Sequence, residues 1–234
     1  MPDRPSQRRG ATDGSLELDG GVRVRWGRRA AFDRDRALGL LGTAERGRAA
    51  GLARDDRLDR FLLGRMLLRD LAADAGGVRA EQVGVEAVCE RCGLEHGRPR
   101  LRWPDAAGPA PSVGLASCDG LVVAALAPPG VAVGIDVERP RATTTRGAEA
   151  ERRDAVAHLL GGPRRTAIRR WVRTEAVLKA DGRGLRVDPA HVRFDGDRAR
   201  LPDRADEFRL VDRRIDGCLV SVAVGSRQSR PLFP

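Results

Sequence analysis

Eight consecutive residues in the middle of the chain, Val131-Ala132-Val133-Gly134-Ile135-Asp136-Val137-Glu138, alternate without a break between branched apolar side chains and small or acidic ones. In a strand, Val131, Val133, Ile135 and Val137 share one face, and Ala132, Gly134, Asp136 and Glu138 share the other. The branched face has to be covered, so the strand belongs to a sheet packed on a core. On the opposite face two carboxylates stand with their Cα atoms roughly 6.5–7 Å apart, beside residues small enough to admit a ligand. An ordinary half-buried strand with a solvent face carries the same pattern, so the strand alone leaves both readings open.

A helical segment further on shifts the balance. Ile168, Trp171 and Val172 recur at i, i+3 and i+4, and Glu175 and Lys179 continue that stripe at i+7 and i+11. Charges on an apolar stripe are costly unless something pairs or coordinates them. A surface ion pair between Glu175 and Lys179 is the plainer alternative, worth only a few tenths of a kcal/mol. Lys179 is distinctive in another way. The chain holds 43 Lys and Arg in total, and Lys179 is the single lysine among them. An ammonium is a compact point charge, poorly interchangeable with the planar guanidinium. Three carboxylates, Asp136, Glu138 and Glu175, together with this ammonium, suit a hard divalent cation with a phosphate group nearby.

Composition sets the surroundings. A net charge of +10 and a sequence pI near 11.0 favour polyanions, acidic proteins or phosphorylated small molecules as partners. No apolar run approaches the roughly 20 residues of a membrane span, and the N-terminal residues lack a secretory apolar segment, so the expectation is a cytoplasmic protein with no membrane partner. Four cysteines in that setting do not suggest disulfides. Cys89-x-x-Cys92-Gly93-x-x-His96 has the spacing of half a zinc site, but a closed site wants four ligands and no second pair exists. Cys118 or Cys218 are the remaining thiols that could complete it; the preferred reading is a tight turn with reduced thiols.

The remaining pattern points to an α+β fold. Strands are expected at 22–26, 83–88, 121–126, 131–137, 192–194 and 218–224, and helices at 54–73, 148–160 and 166–180. Pro128-Pro129-Gly130 between two apolar runs reads as the turn of a β-hairpin. The chain divides into a disordered tail (1–14), two α+β halves (15–119 and 120–227) and a second tail (228–234).

At these residues the sequence resembles the 4'-phosphopantetheinyl transferases of the Sfp type. The resemblance rests on Gly134-Ile135-Asp136-Val137-Glu138, then Trp171-x-x-Thr174-Glu175-Ala176-x-x-Lys179 and Gly182-x-Gly184-Leu185. Arg60, Arg65 and Arg69, Gly97-Arg98-Pro99 and Ser117-Cys118-Asp119-Gly120 extend it over about 22–224. It implies two similar halves related by a pseudo-twofold, with the active site at their interface. It also implies transfer of the phosphopantetheine arm of coenzyme A to a serine of an acyl or peptidyl carrier protein, with Mg²⁺ or Mn²⁺ and release of adenosine 3',5'-bisphosphate, by a monomer. The roles implied are Asp136, Glu138 and Glu175 for the metal, Glu175 and Lys179 for catalysis, and Arg60, Arg98, Ser117 and Lys179 for substrate. Cys118 and Thr174 depart from the family's His and Lys, which removes positive charge. The competing readings are a basic nucleic-acid-binding protein with a zinc knuckle and a degenerate homologue that only binds carriers.

Overall fold

The computed structural model describes residues 13–52, 56–90, 92–94, 96–104, 108–140 and 146–226. Two antiparallel sheets form its centre. The first takes the order β1-β2-β6-β5, from Gly14–Leu18, Val22–Arg28, Leu121–Ala127 and Ser112–Cys118. The second runs β7-β11-β10-β9-β8, from Val131–Glu138, Cys218–Ser226, Glu207–Ile215, Arg198–Arg200 and Arg193–Asp195. A separate ribbon pairs β3 (Gly84–Glu86) with β4 (Arg100–Arg102). Among the described residues, five α-helices complete the fold: α1 (Arg34–Gly39), α2 (Thr43–Ala50), α3 (Asp56–Gly76), α4 (Arg146–Leu160) and α5 (Ala167–Asp181). Among the described residues no helix is long and apolar enough to cross a membrane.

Alternation along the strands sorts the side chains into three cores. Val122, Ala124 and Leu126 of β6 pack under α3, which is itself covered by α1 and α2. The intervening residues Leu121, Val123, Ala125 and Ala127 turn the other way, joining Val133, Ile135 and Val137 of β7 and Val220 and Val222 of β11 between the sheets. Ala176, Val177, Leu178 and Ala180 of α5 close the outer face of the second sheet over Ala132, Ala223, Phe208 and Leu210. Each sheet thus carries one long helix on its outer face, and the valine face of β7 is buried as its alternation requires.

The hairpin expected at Pro128-Pro129-Gly130 is not formed. β6 pairs with β2 and β5, and β7 pairs with β11 in the other sheet. β6 is buried along its whole length because both of its faces are covered. A continuous apolar run followed by a tight turn has the look of a hairpin arm, although here the turn carries the chain from one sheet to the other. The chain thus passes from the first sheet to the second at 128–130. β1 begins at Gly14, inside the segment 1–14 expected to be disordered. Residues 1–12 and 228–234 lie outside the described residues.

The two sheets also meet edge to edge. Gly114 of β5 lies against Gly134 and Ile135 of β7, and four residues later Cys118 Sγ is 3.8 Å from Glu138 Oε2. The two edge strands therefore run alongside each other in the same direction.

One contact sets the distance of α5 from β7. A methyl group at Gly134 would overlap the carbonyl oxygen of Ala176 and the backbone nitrogen of Ala180. The helix backbone rests directly on the strand, and only glycine permits it. Gly134→Ala is expected to destabilise the fold by about 1–3 kcal/mol, as overpacking does. Urea unfolding of the two proteins measures this; equal stability would contradict the contact.

Candidate metal and phosphate site

The small and acidic face of β7 looks at α5, which brings the sequence-predicted residues together. Lys179 Nζ lies 2.6 Å from Asp136 Oδ1. Asp136 is only 7% exposed, and its second oxygen, Oδ2, is buried with no hydrogen-bond partner among the described residues. Burial pushes the Asp136 carboxyl up to about 6; Lys179 opposes this, and the like charges of Glu175 and Glu138 add to it. Glu175 is half-buried, and burial raises its carboxyl as well, with Lys179 opposing and Glu138 adding. The three carboxylates therefore sense one another, and a single ammonium partly compensates two of them.

Glu138 at the end of β7 is paired with Arg152 Nη2 of α4 at 2.6 Å. Sequence reasoning missed Arg152, since α4 is a charged helix and its contact with β7 is purely tertiary. The three carboxylates do not converge as tightly as metal ligands do: among the described residues, the one trio of potential ligands within 4.8 Å of one another is Cys89, Cys92 and His96. Instead, cationic side chains lie on Asp136 and Glu138. A divalent cation nevertheless fits the site chemically. The donors are all hard oxygens, and one buried carboxylate oxygen lacks any partner.

The other predicted residues distribute unevenly. Arg98 Nη2 donates to the carbonyl of Val133 at 3.2 Å, placing it on β7 three residues before Asp136. It also abuts Gly182, the α5 cap, where φ is +89° and an added Cβ would stand 2.7 Å from Arg98 Nη1. The Gly182-x-Gly184 turn therefore ends α5 and leaves room for Arg98. Cys118 sits beside Glu138. Ser117 is on the other face of β5, with Leu115, which packs on Gly64 of α3. Arg60 is exposed on α3 beside Asp56.

Arg65 and Arg69, which extend the resemblance, are both buried on Glu45 of α2, at 3.1 and 2.5 Å. Thr174 is fully buried, so its replacement of a lysine alters the packing of α5 and not an exposed phosphate contact. Among the described residues, Cys118 and Cys218 do not join the cluster of Cys89, Cys92 and His96; Cys118 Sγ lies beside Glu138 instead.

The raised Asp136 carboxyl gives a pH signature in the metal-free chain. Because the folded value lies above the ordinary 3.8, the protonated form is favoured in the fold, and that favour is lost as pH rises from 3.8 through 6. The stability of Asp136→Asn relative to the parent should therefore grow by about 2 kcal/mol between pH 4 and pH 7. Denaturant titrations at the two pH values decide it; a difference independent of pH would mean that Asp136 ionises normally.

Comparison with known families bears on the second half. Residues 132–218 match the family model of the 4'-phosphopantetheinyl transferase superfamily. The matched segment is less than half of the chain, yet it contains Asp136, Glu138, Glu175 and Lys179 and stops short of Arg60, Arg98 and Ser117. No curated protein sequence matches the chain.

Proposed function

We propose that this chain is an Sfp-type 4'-phosphopantetheinyl transferase, moving the phosphopantetheine group of coenzyme A to a serine hydroxyl of an acyl or peptidyl carrier protein. The observation that carries the reading is Asp136: a buried carboxylate with one unpartnered oxygen, facing Glu175 and Lys179 within the segment similar to the superfamily. The +10 charge of the chain suits both a phosphorylated donor and an acidic acceptor.

Asp136, Glu138 and Glu175 would hold Mg²⁺ or Mn²⁺. Such an ion, when bound, supplies charge stabilisation to the pyrophosphate oxygens. The residues of the chain do the rest. Lys179, a third exposed, offers its ammonium to a phosphate oxygen as well as to Asp136. Arg98, fixed at the cap of α5, would hold a nucleotide phosphate, and Arg60 and Ser117 would support it. In the transfer the serine oxygen forms a bond to phosphorus of the pantetheine phosphate. The bond from that phosphorus to the bridging oxygen breaks, and adenosine 3',5'-bisphosphate leaves with the electron pair. The serine proton passes to Glu175, whose raised carboxyl suits a base better than an ordinary exposed glutamate would. Positioning and charge compensation dominate such a reaction.

The test is the mass of a carrier protein before and after incubation with coenzyme A and Mg²⁺. The expected result is addition of one phosphopantetheine group by the parent chain and a loss of about 10²–10³-fold in rate for Asp136→Ala. Carrier left unmodified by the parent chain would sink the proposal, whether or not it binds. Lys179→Arg asks a narrower question. A point charge replaced by a planar fork should lower kcat/KM by about tenfold or more, and an unchanged rate would show the single lysine to be incidental.

A further inference from the structure

We infer that Cys89, Cys92 and His96 bind a zinc ion that closes the loop between β3 and β4. Sequence spacing alone does not favour this, because a closed site wants four ligands and the turn supplies three. In the structure the three converge. Both Sγ atoms and an imidazole nitrogen lie within 4.8 Å of one another, and Cys92 Sγ is 2.9 Å from His96 Nε2. Two donors on one zinc stand about 3.5 Å apart at ordinary bond lengths, so a small separation of Cys92 from His96 admits the ion. Two thiolates and an imidazole are a donor set that selects zinc over Mg²⁺ or Ca²⁺.

The backbone is already wound for such a site. Cys89 N–H donates to Leu94 O at 2.8 Å, Gly93 N–H to Cys89 O at 2.9 Å, and Gly97 N–H to Ala87 O at 2.5 Å. Gly93 has φ +72°, a conformation that a side chain would strain. An added Cβ at Gly97 would overlap the carbonyl of Val88. Yet the loop has almost no core of its own: Val88 is 52% and Leu94 65% exposed, and Cys92 and His96 are exposed as well. A short segment with little buried apolar area is the setting in which a metal substitutes for a core. The exposure of Cys92 and His96 leaves the fourth position to water. On binding, Zn²⁺ replaces the two thiol protons, which are released to solvent.

The loop leads directly into Arg98, and Glu90 within it reaches Arg100 and Arg186, at 3.3 Å in each case. Zinc would thus act as a staple that fixes the approach to Arg98, away from the carboxylates of β7.

The decisive measurement is metal content of the untagged full chain, expressed with zinc in the medium and exhaustively dialysed. About one zinc per chain is expected for the parent and for Asp136→Ala, and a small fraction of that for Cys89→Ser/Cys92→Ser. Replacement by Co²⁺ should give thiolate-to-cobalt charge-transfer absorption together with the strong visible bands of a four-coordinate ion. This spectrum needs only the parent chain, so it still decides if the double variant fails to fold. A parent without zinc and without the thiolate band would overturn the inference. So would zinc content unchanged in Cys89→Ser/Cys92→Ser, or a Cys89–Cys92 disulfide in place of the metal. None of these outcomes depends on transferase activity.

Discussion

The absence of a side chain at Gly134 governs the architecture around the site. Helices usually stand off a sheet by the thickness of their side chains, but here the α5 backbone at Ala176 and Ala180 touches the strand. That approach makes it possible for Lys179, one turn beyond Glu175, to reach a carboxylate rooted in the strand. It also seals Asp136 from water, and burial is the largest cause of its raised carboxyl. Glycine in the strand, alanines on the helix and the acid two residues along form one device, in which backbone proximity generates the electrostatics.

The arginine-rich composition resolves into distinct uses once partners are known. Arg65 and Arg69 neutralise Glu45 inside the first half, where removal of the acid would strand two buried cations. Arg169 and Arg173 share Asp212 on the second sheet. Arg152 lies on Glu138, and Arg98 braces a strand against a helix cap. Many of the arginines are thus paired locally with acids, and the +10 total is the excess of cations over those acids.

What the sequence revealed depended on whether one element sufficed to show it. The alternation of Val131–Glu138 and the period of Ile168–Lys179 are properties of single segments; the strand face turned out as its pattern requires, whereas on α5 Ile168 and Val172 are buried but the face that rests on the sheet is Ala176, Val177, Leu178 and Ala180. β10 escaped notice because Val211-Asp212-Arg213-Arg214 interrupts its alternation, and the pairing with β9 and β11 sets it instead. The false hairpin arose because β6 is covered on both faces, which removes the period that would have identified its partner sheet. Arg152 on Glu138, Arg65 and Arg69 on Glu45, and the meeting of Cys92 with His96 all depend on how separate stretches of chain close on one another. No local pattern announces such closures.

The ion pair between Asp136 and Lys179 has a practical side. Lys179 carries the sole side-chain amine of the chain, and it is one-third exposed at the candidate site. Amine-directed reagents, which on most proteins scatter over the surface, have one internal address here besides the α-amino group. A protease specific for lysine likewise has one cleavage point, between Lys179 and Ala180, where the backbone is helical and Ala180 is buried against the strand. Cutting there requires α5 to leave β7, so the appearance of two fragments would time the opening of the site directly.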